Sequence, residues 1–110
     1  MIWLEQIKTL PLHEIFPGFR GRFVHSDTMT FAFWEIDKGC DVPDHNHPHE
    51  QVAHMLEGEF ELRINGKGRV LTPGAMAVIP SQAKHGGKAI TDCRILDIFH
   101  PRREDYNFNG

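Results

Sequence analysis

Short stretches in which apolar and polar side chains alternate, separated by glycine and proline, fill most of this chain. Phe60, Leu62 and Ile64 alternate with Glu59, Glu61 and Arg63, the period-two pattern of a half-buried strand. Asn65-Gly66 follows, and both residues tolerate the positive φ that a tight hairpin needs. Upstream, Met29 to Ile36 is rich in aromatic and β-branched residues and ends at the turn Asp37-Lys38-Gly39. Gln51 to Glu57 reads as another strand, stopped by Gly58. Gly68 to Leu71, Met76 to Ile79 and Cys93 to Phe99 supply more, with Pro73-Gly74 and Pro80 as breaks. Many short strands without helical periodicity predict an all-β sandwich or barrel. The first fifteen residues, carrying Ile2, Leu4 and Ile7, are expected to begin as an edge strand and to pack on a neighbouring subunit.

No repeat, linker or low-complexity segment interrupts the pattern, so residues 1–110 are expected to form one domain with one modest core. The formal net charge is −3 and no Lys/Arg cluster occurs, which disfavours nucleic acid and anionic membrane surfaces as partners. No apolar stretch approaches the length of a membrane span, and the first residues lack the basic flank and apolar run of a signal peptide. A cytoplasmic protein with reduced thiols is expected. Cys40 and Cys93 are too few for a disulfide scaffold. Cys40 precedes a histidine cluster and is a candidate soft metal ligand, although a small buried thiol is the favoured reading.

That cluster is the chemically most informative feature. His45, His47 and His49 fall within five residues, and an extended His-x-His places both rings on one side of a strand. His85 follows Pro80 far along the chain. A closed β-barrel can bring the two segments together. His49 is expected beside the site or on the surface, because Pro48 breaks strand geometry. His13, His25, His54 and His100 have no supporting pattern and are read as surface or packed histidines. The aromatic residues Trp3, Phe16, Phe19, Phe23, Phe31, Phe33 and Trp34 are read as core or dimer contacts.

Gly39-x5-His45-x-His47-x3-Gln51-x6-Gly58 resembles the first motif of the cupin superfamily, and Gly74-x5-Pro80-x4-His85 resembles the second. The resemblance runs from about Phe23 to Phe99 and implies an RmlC-like double-stranded β-helix, a jelly-roll barrel. Three positions depart from the usual pattern. Gln51 stands where a glutamate is usual, Gln82 where a glycine is usual, and Ala89 where an asparagine is frequent. The run His47 to Val52, the run Leu56 to Phe60, and the tail Leu96 to Tyr106 are similar to small cupins that linearise unsaturated uronates in pectin and alginate breakdown, the KdgF type. This implies His45, His47, Gln51 and His85 as ligands of one divalent transition metal (Zn, Ni, Fe, Mn or Cu). It also implies Asp97 as the acid/base residue, with Phe99 and Arg103 lining the substrate site.

Strand alternation puts Gln51, Ala53 and Met55 on one face and Ile95, Asp97 and Phe99 on one face of the last strand. Met55 therefore joins the candidate substrate-contacting residues. Three imidazoles and an amide are a neutral ligand set, so a bound cation keeps its full charge and favours a small anionic, sugar-like ligand. Arg103 can add a bidentate contact to a carboxylate. The leading expectation is a ring-opening isomerase acting on 4,5-unsaturated uronates. A non-catalytic metal-containing binding cupin and a metal-dependent dioxygenase are the alternatives, and a homodimer is the expected assembly.

Overall fold

In the computed structural model, which describes residues 6–108, ten antiparallel strands form two sheets facing one another. The strands are β1 (His13–Phe16), β2 (Phe19–His25), β3 (Thr30–Ile36), β4 (Asp41–His45) and β5 (Glu50–Glu57). They continue as β6 (Phe60–Ile64), β7 (Lys67–Leu71), β8 (Met76–Ile79), β9 (His85–Ala89) and β10 (Cys93–His100). The larger sheet runs β1-β2-β3-β10-β5-β8 and the smaller β4-β9-β6-β7. Single 3₁₀ turns lie at Ile7–Thr9 and Glu104–Tyr106. Among the described residues, no helix is long and apolar enough to cross a membrane.

The expected strands lie within a residue or so of where alternation, composition and turn residues put them. The hairpin between β6 and β7 turns on Asn65 and Gly66, at φ 50° and 81°, with Ile64 paired to Lys67. Those are the left-handed conformations a two-residue hairpin loop requires. Within residues 1–15, Ile7 lies in the first 3₁₀ turn and β1 begins at His13, forming the edge of the larger sheet. Ile2, Trp3 and Leu4 lie outside the described residues.

Burial alternates along the central strands. Thr30, Ala32, Trp34 and Ile36 point inward from β3, and Cys93, Ile95, Asp97 and Phe99 from β10. With Phe60, Leu62 and Leu71 of the facing sheet, the apolar residues among them belong to the hydrophobic core. The register sets what lies around Asp97: Ala32 on one side and Ala53 on the other. Two methyl side chains flanking one carboxylate leave the barrel hollow at that level.

The second motif sits on β9, whose sequence His-Gly-Gly-Lys-Ala has little strand propensity. Its glycines are needed for close approach. A Cβ on Gly86 would lie 2.6 Å from the Val42 carbonyl oxygen, and one on Gly87 would lie 2.5 Å from that of Glu61. Glycine lets β4 and β6 close on β9 from both sides, which places His85 opposite His45.

Candidate functional site

His45 ends β4, His47 lies in the loop beyond it, Gln51 is the second residue of β5 and His85 opens β9. The loop is tied down: Gln82 N–H donates to the His47 carbonyl at 2.8 Å, and Ser81 Oγ donates to that of Pro48 at 2.6 Å. Gln82 adopts φ 66°, the left-handed region where glycine is free and other residues are strained. That conformation accounts for the usual glycine at this position. The rings of His45 and His85 lie 4.4 Å apart between centroids and those of His47 and His85 4.9 Å. One nitrogen from each of the three falls within 4.8 Å of the others, so this trio can hold a metal ion.

The backbone fixes which nitrogens face inward. Nδ1 of His45, His47 and His85 lies 2.8, 3.0 and 2.9 Å from the carbonyl oxygens of Pro43, His49 and Ala83. A carbonyl only accepts, so each Nδ1 carries the proton and each Nε2 presents a lone pair. Burial, then the charge of Arg103 and the neighbouring His85, lowers the His47 pKa to about 4. Burial also pushes His85 down. Both rings are therefore neutral at neutral pH, as ligands must be.

Two observations test this pocket against a cation. Buried His85 Nε2 has no hydrogen-bond partner among the described residues. His47 Nε2 faces Gln51 Oε1 at 3.1 Å, two acceptors with no proton between them. Gln51 also helps to hold the Asp97 pKa down, which favours the ionised carboxylate. Lone pairs that converge without donors fit a bound metal, and three imidazoles with an amide oxygen suit a borderline divalent ion. The site residues fit the group.

Asp97 Oδ2 accepts from Trp34 Nε1 at 2.9 Å, whereas Oδ1 is buried without a hydrogen-bond partner among the described residues. Burial lifts the Asp97 pKa to about 6, against the pull of Gln51, Trp34 and Arg103. The Arg103 guanidinium is buried over the rings of Phe99 and Tyr106, 4.7 and 4.3 Å from their centroids. Its Nε and Nη2 donate to Asp105 at 2.9 and 2.7 Å. The edge expected to grip a ligand carboxylate bidentately is thus occupied, and the Nη1 side remains.

His45, Gln51, His85, Asp97, Phe99 and Arg103 all line one cavity of about 400 Å³ between the sheets. Met55 shares the inward face but is fully buried, packed opposite Ile95, and lies outside that lining. His49 supports His47 through its carbonyl and its ring. Cys40 turns its thiol toward the Pro17 carbonyl and is not among the clustered ligands. Trp34 and Tyr106 line the cavity without having been singled out for it. The signal for Trp34 was available: an inward indole needs a buried acceptor for its N–H.

The profile of the family described as "Cupin domain" matches residues 32–99, well over half of the chain. The chain belongs to the cupin family. This cupin is similar to the pectin degradation protein KdgF of Dickeya dadantii (strain 3937), with 28% identity over 99 residues that span 87% of the chain and 90% of that protein. The solved structure of KdgF from Halomonas sp. matches with a TM-score of 0.85 at 29% identity, covering 89% of this cupin and 94% of that chain. An RmlC-like cupin from Shewanella frigidimarina NCIMB 400 matches with a TM-score of 0.90 at 27% identity over 96% of each chain. The expected RmlC-like jelly roll is the fold observed.

Proposed function

We propose that this cupin is a metal-dependent isomerase that opens the ring of 4,5-unsaturated uronates to 5-keto-4-deoxyuronates. The observation that carries the reading is Asp97: a buried carboxylate with one unpartnered oxygen, lining the same cavity as His45, His85 and Arg103. The likeness to two proteins named KdgF, one described as a pectin degradation protein, supports a uronate as substrate.

His45, His47, Gln51 and His85 would hold the divalent cation, which when bound supplies Lewis-acid stabilisation of the oxygen that gains negative charge. The remaining chemistry belongs to the chain. Arg103 attracts the substrate carboxylate through its charge and the Nη1 side of its guanidinium. Asp97, ionised at neutral pH with a pKa of about 6, takes the proton of the anomeric hydroxyl. The C1–O5 bond breaks as C1 becomes an aldehyde, and its electron pair leaves the ring oxygen as an enolate on C5. Protonation of C4 from Asp97 gives the C5 ketone and restores the carboxylate, with no net redox change. A carboxylate near pKa 6 suits both halves of this transfer better than one near 4. Phe99 underlies Arg103 and excludes water from one side.

The test is turnover of 4,5-unsaturated galacturonate, read as loss of the ultraviolet absorbance of the conjugated alkene. Metal-loaded wild type should accelerate it, and Asp97→Asn should lower kcat by roughly 10²–10⁴-fold at unchanged metal content. Wild type that binds metal and gives no acceleration over buffer would leave a binding module as the better account.

A further inference from the structure

Arg103 sits beyond the last strand, on a segment whose own secondary structure is one 3₁₀ turn at Glu104–Tyr106. A single turn does not hold a buried guanidinium in register, so the wall it builds needs anchoring from elsewhere. The anchor comes from β2 and β3. Thr30 is fully buried, and its Oγ1 accepts from the backbone N–H of Arg103 at 2.8 Å. The same hydroxyl lies 2.8 Å from His25 Nδ1, and His25 Nε2 lies 3.1 Å from the carbonyl oxygen of Tyr106.

The protons have one consistent arrangement. The Tyr106 carbonyl only accepts, so His25 Nε2 must carry the ring proton; a proton on Nδ1 alone would set two acceptors face to face. His25 Nδ1 is then a lone pair, and it receives the single O–H of Thr30. Thr30 Oγ1 in turn receives the Arg103 N–H. Two side chains thus pin the first and last residues of the segment that presents Arg103 and Tyr106 to the cavity. Asp105, lying between the two pins, holds the guanidinium through Nε and Nη2.

We infer that His25 and Thr30 are positioning residues, a two-residue clasp that sets the Arg103 guanidinium and the Tyr106 ring at the cavity and so governs affinity for the substrate carboxylate. The inference rests on the uronate reading for its ligand, not for its geometry. Neither residue touches the metal ligands or Asp97 in the contacts that define the clasp, so loss of the clasp should act on substrate binding rather than on proton transfer.

The experiment compares Thr30→Val, Thr30→Ser and His25→Ala, each in the wild-type and Arg103→Ala backgrounds, with 4,5-unsaturated galacturonate as substrate. Thr30→Val and His25→Ala should raise KM about tenfold or more while changing kcat and metal content little, the loss expected for a buried hydrogen bond. Thr30→Ser, which keeps the hydroxyl, should restore KM. In the Arg103→Ala background each variant should have a much smaller further effect on KM, because the guanidinium being positioned is gone and only the Tyr106 ring remains. An unchanged KM, or a full effect in the absence of Arg103, overturns the inference. His25→Ala alters a half-buried site and remains informative if Thr30→Val does not fold. Hydrogen exchange of the amides at residues 103–106 gives a readout independent of turnover. If wild type does not process the uronate, the functional reading fails by itself. Retained protection in both disrupted variants then overturns the clasp, and its selective loss supports it.

Discussion

Asp97→Asn should change the pH dependence of folding as well as activity. Folded, Asp97 keeps its proton up to about pH 6, whereas an ordinary aspartate loses it near 3.8. Between those values the folded chain binds more protons at this site than the unfolded chain, so stability falls as pH rises and stays low above the folded value. At about 1.4 kcal/mol per pH unit, the gap amounts to about 3 kcal/mol of stability present in acid and absent at neutral pH. Asparagine has the same shape, can accept from Trp34, and does not ionise. Its amide nitrogen replaces an unpartnered oxygen, and that pairing cost is the same at every pH. The difference between wild type and variant should therefore shift by about 2 kcal/mol between about pH 4.5 and about pH 8, in favour of Asn at high pH. Urea denaturation of chelator-treated protein at the two pH values measures it, and other titrating groups cancel in the comparison. Parallel stability curves for the two proteins would refute the reasoning, because a buried aspartate with a normal pKa leaves no such gap. Restoring the metal should shrink the effect, since a nearby cation favours the ionised carboxylate.

Elemental analysis of untagged protein should find about one divalent transition metal per chain, and His45→Ala or His85→Ala should weaken its binding by at least about 100-fold. A metal content near zero that resists reconstitution would remove the centre. A homodimer is the second expectation: β8 is an edge of the larger sheet, and Met76 and Val78 are each 61% exposed beside the outward residues Val52 and Leu56. Val78→Arg should shift sedimentation from dimer to monomer, and a wild type already monomeric at micromolar concentration would contradict this.

The chain announced several of its own strands: β6 through alternation, and β3, β5, β8 and β10 through apolar, aromatic and β-branched runs bounded by glycine and proline. Strands β4 and β9 were silent for opposite reasons. Pro43 interrupts β4, which tolerates it as an edge strand, and the two glycines of β9 are there for close approach rather than propensity. Yet those silent strands carry His45 and His85. The ligand positions had to come from motif spacing, since periodicity gives no hint that β4 and β9 are partners. Asp97 and Phe99 were legible through alternation, and so was the inward face of Met55. What alternation does not tell is whether an inward residue reaches the cavity. Met55 lies at the level of Ile95, which does line the cavity, yet its own side chain is packed away from that lining. Arg103 was legible as a residue but not in its pairing, because the tail offers both Glu104 and Asp105 and the sequence pattern does not say which lies against the guanidinium.

The features that cost stability are gathered at one end of the barrel. Among the described residues, Asp97 is buried with an unpartnered oxygen and His85 with an unpartnered nitrogen, and Gln82 holds a left-handed backbone conformation beside them. Each of the polar groups left unpaired costs about 1–3 kcal/mol, and the strained residue about 1–2 kcal/mol. Elsewhere the strands bury Ile36, Met55 and Ile79 with almost no exposure. A barrel closed for stability alone would put larger apolar residues where Ala32 and Ala53 flank Asp97, and would remove the carboxylate. Keeping small residues, a carboxylate and three inward lone pairs at one level makes sense if a cation and an anionic ligand complete the missing interactions. On that account, relief of these unpaired groups should appear as a low Kd for the cation, and stability should rise with the free metal concentration L by RT ln(1 + L/Kd).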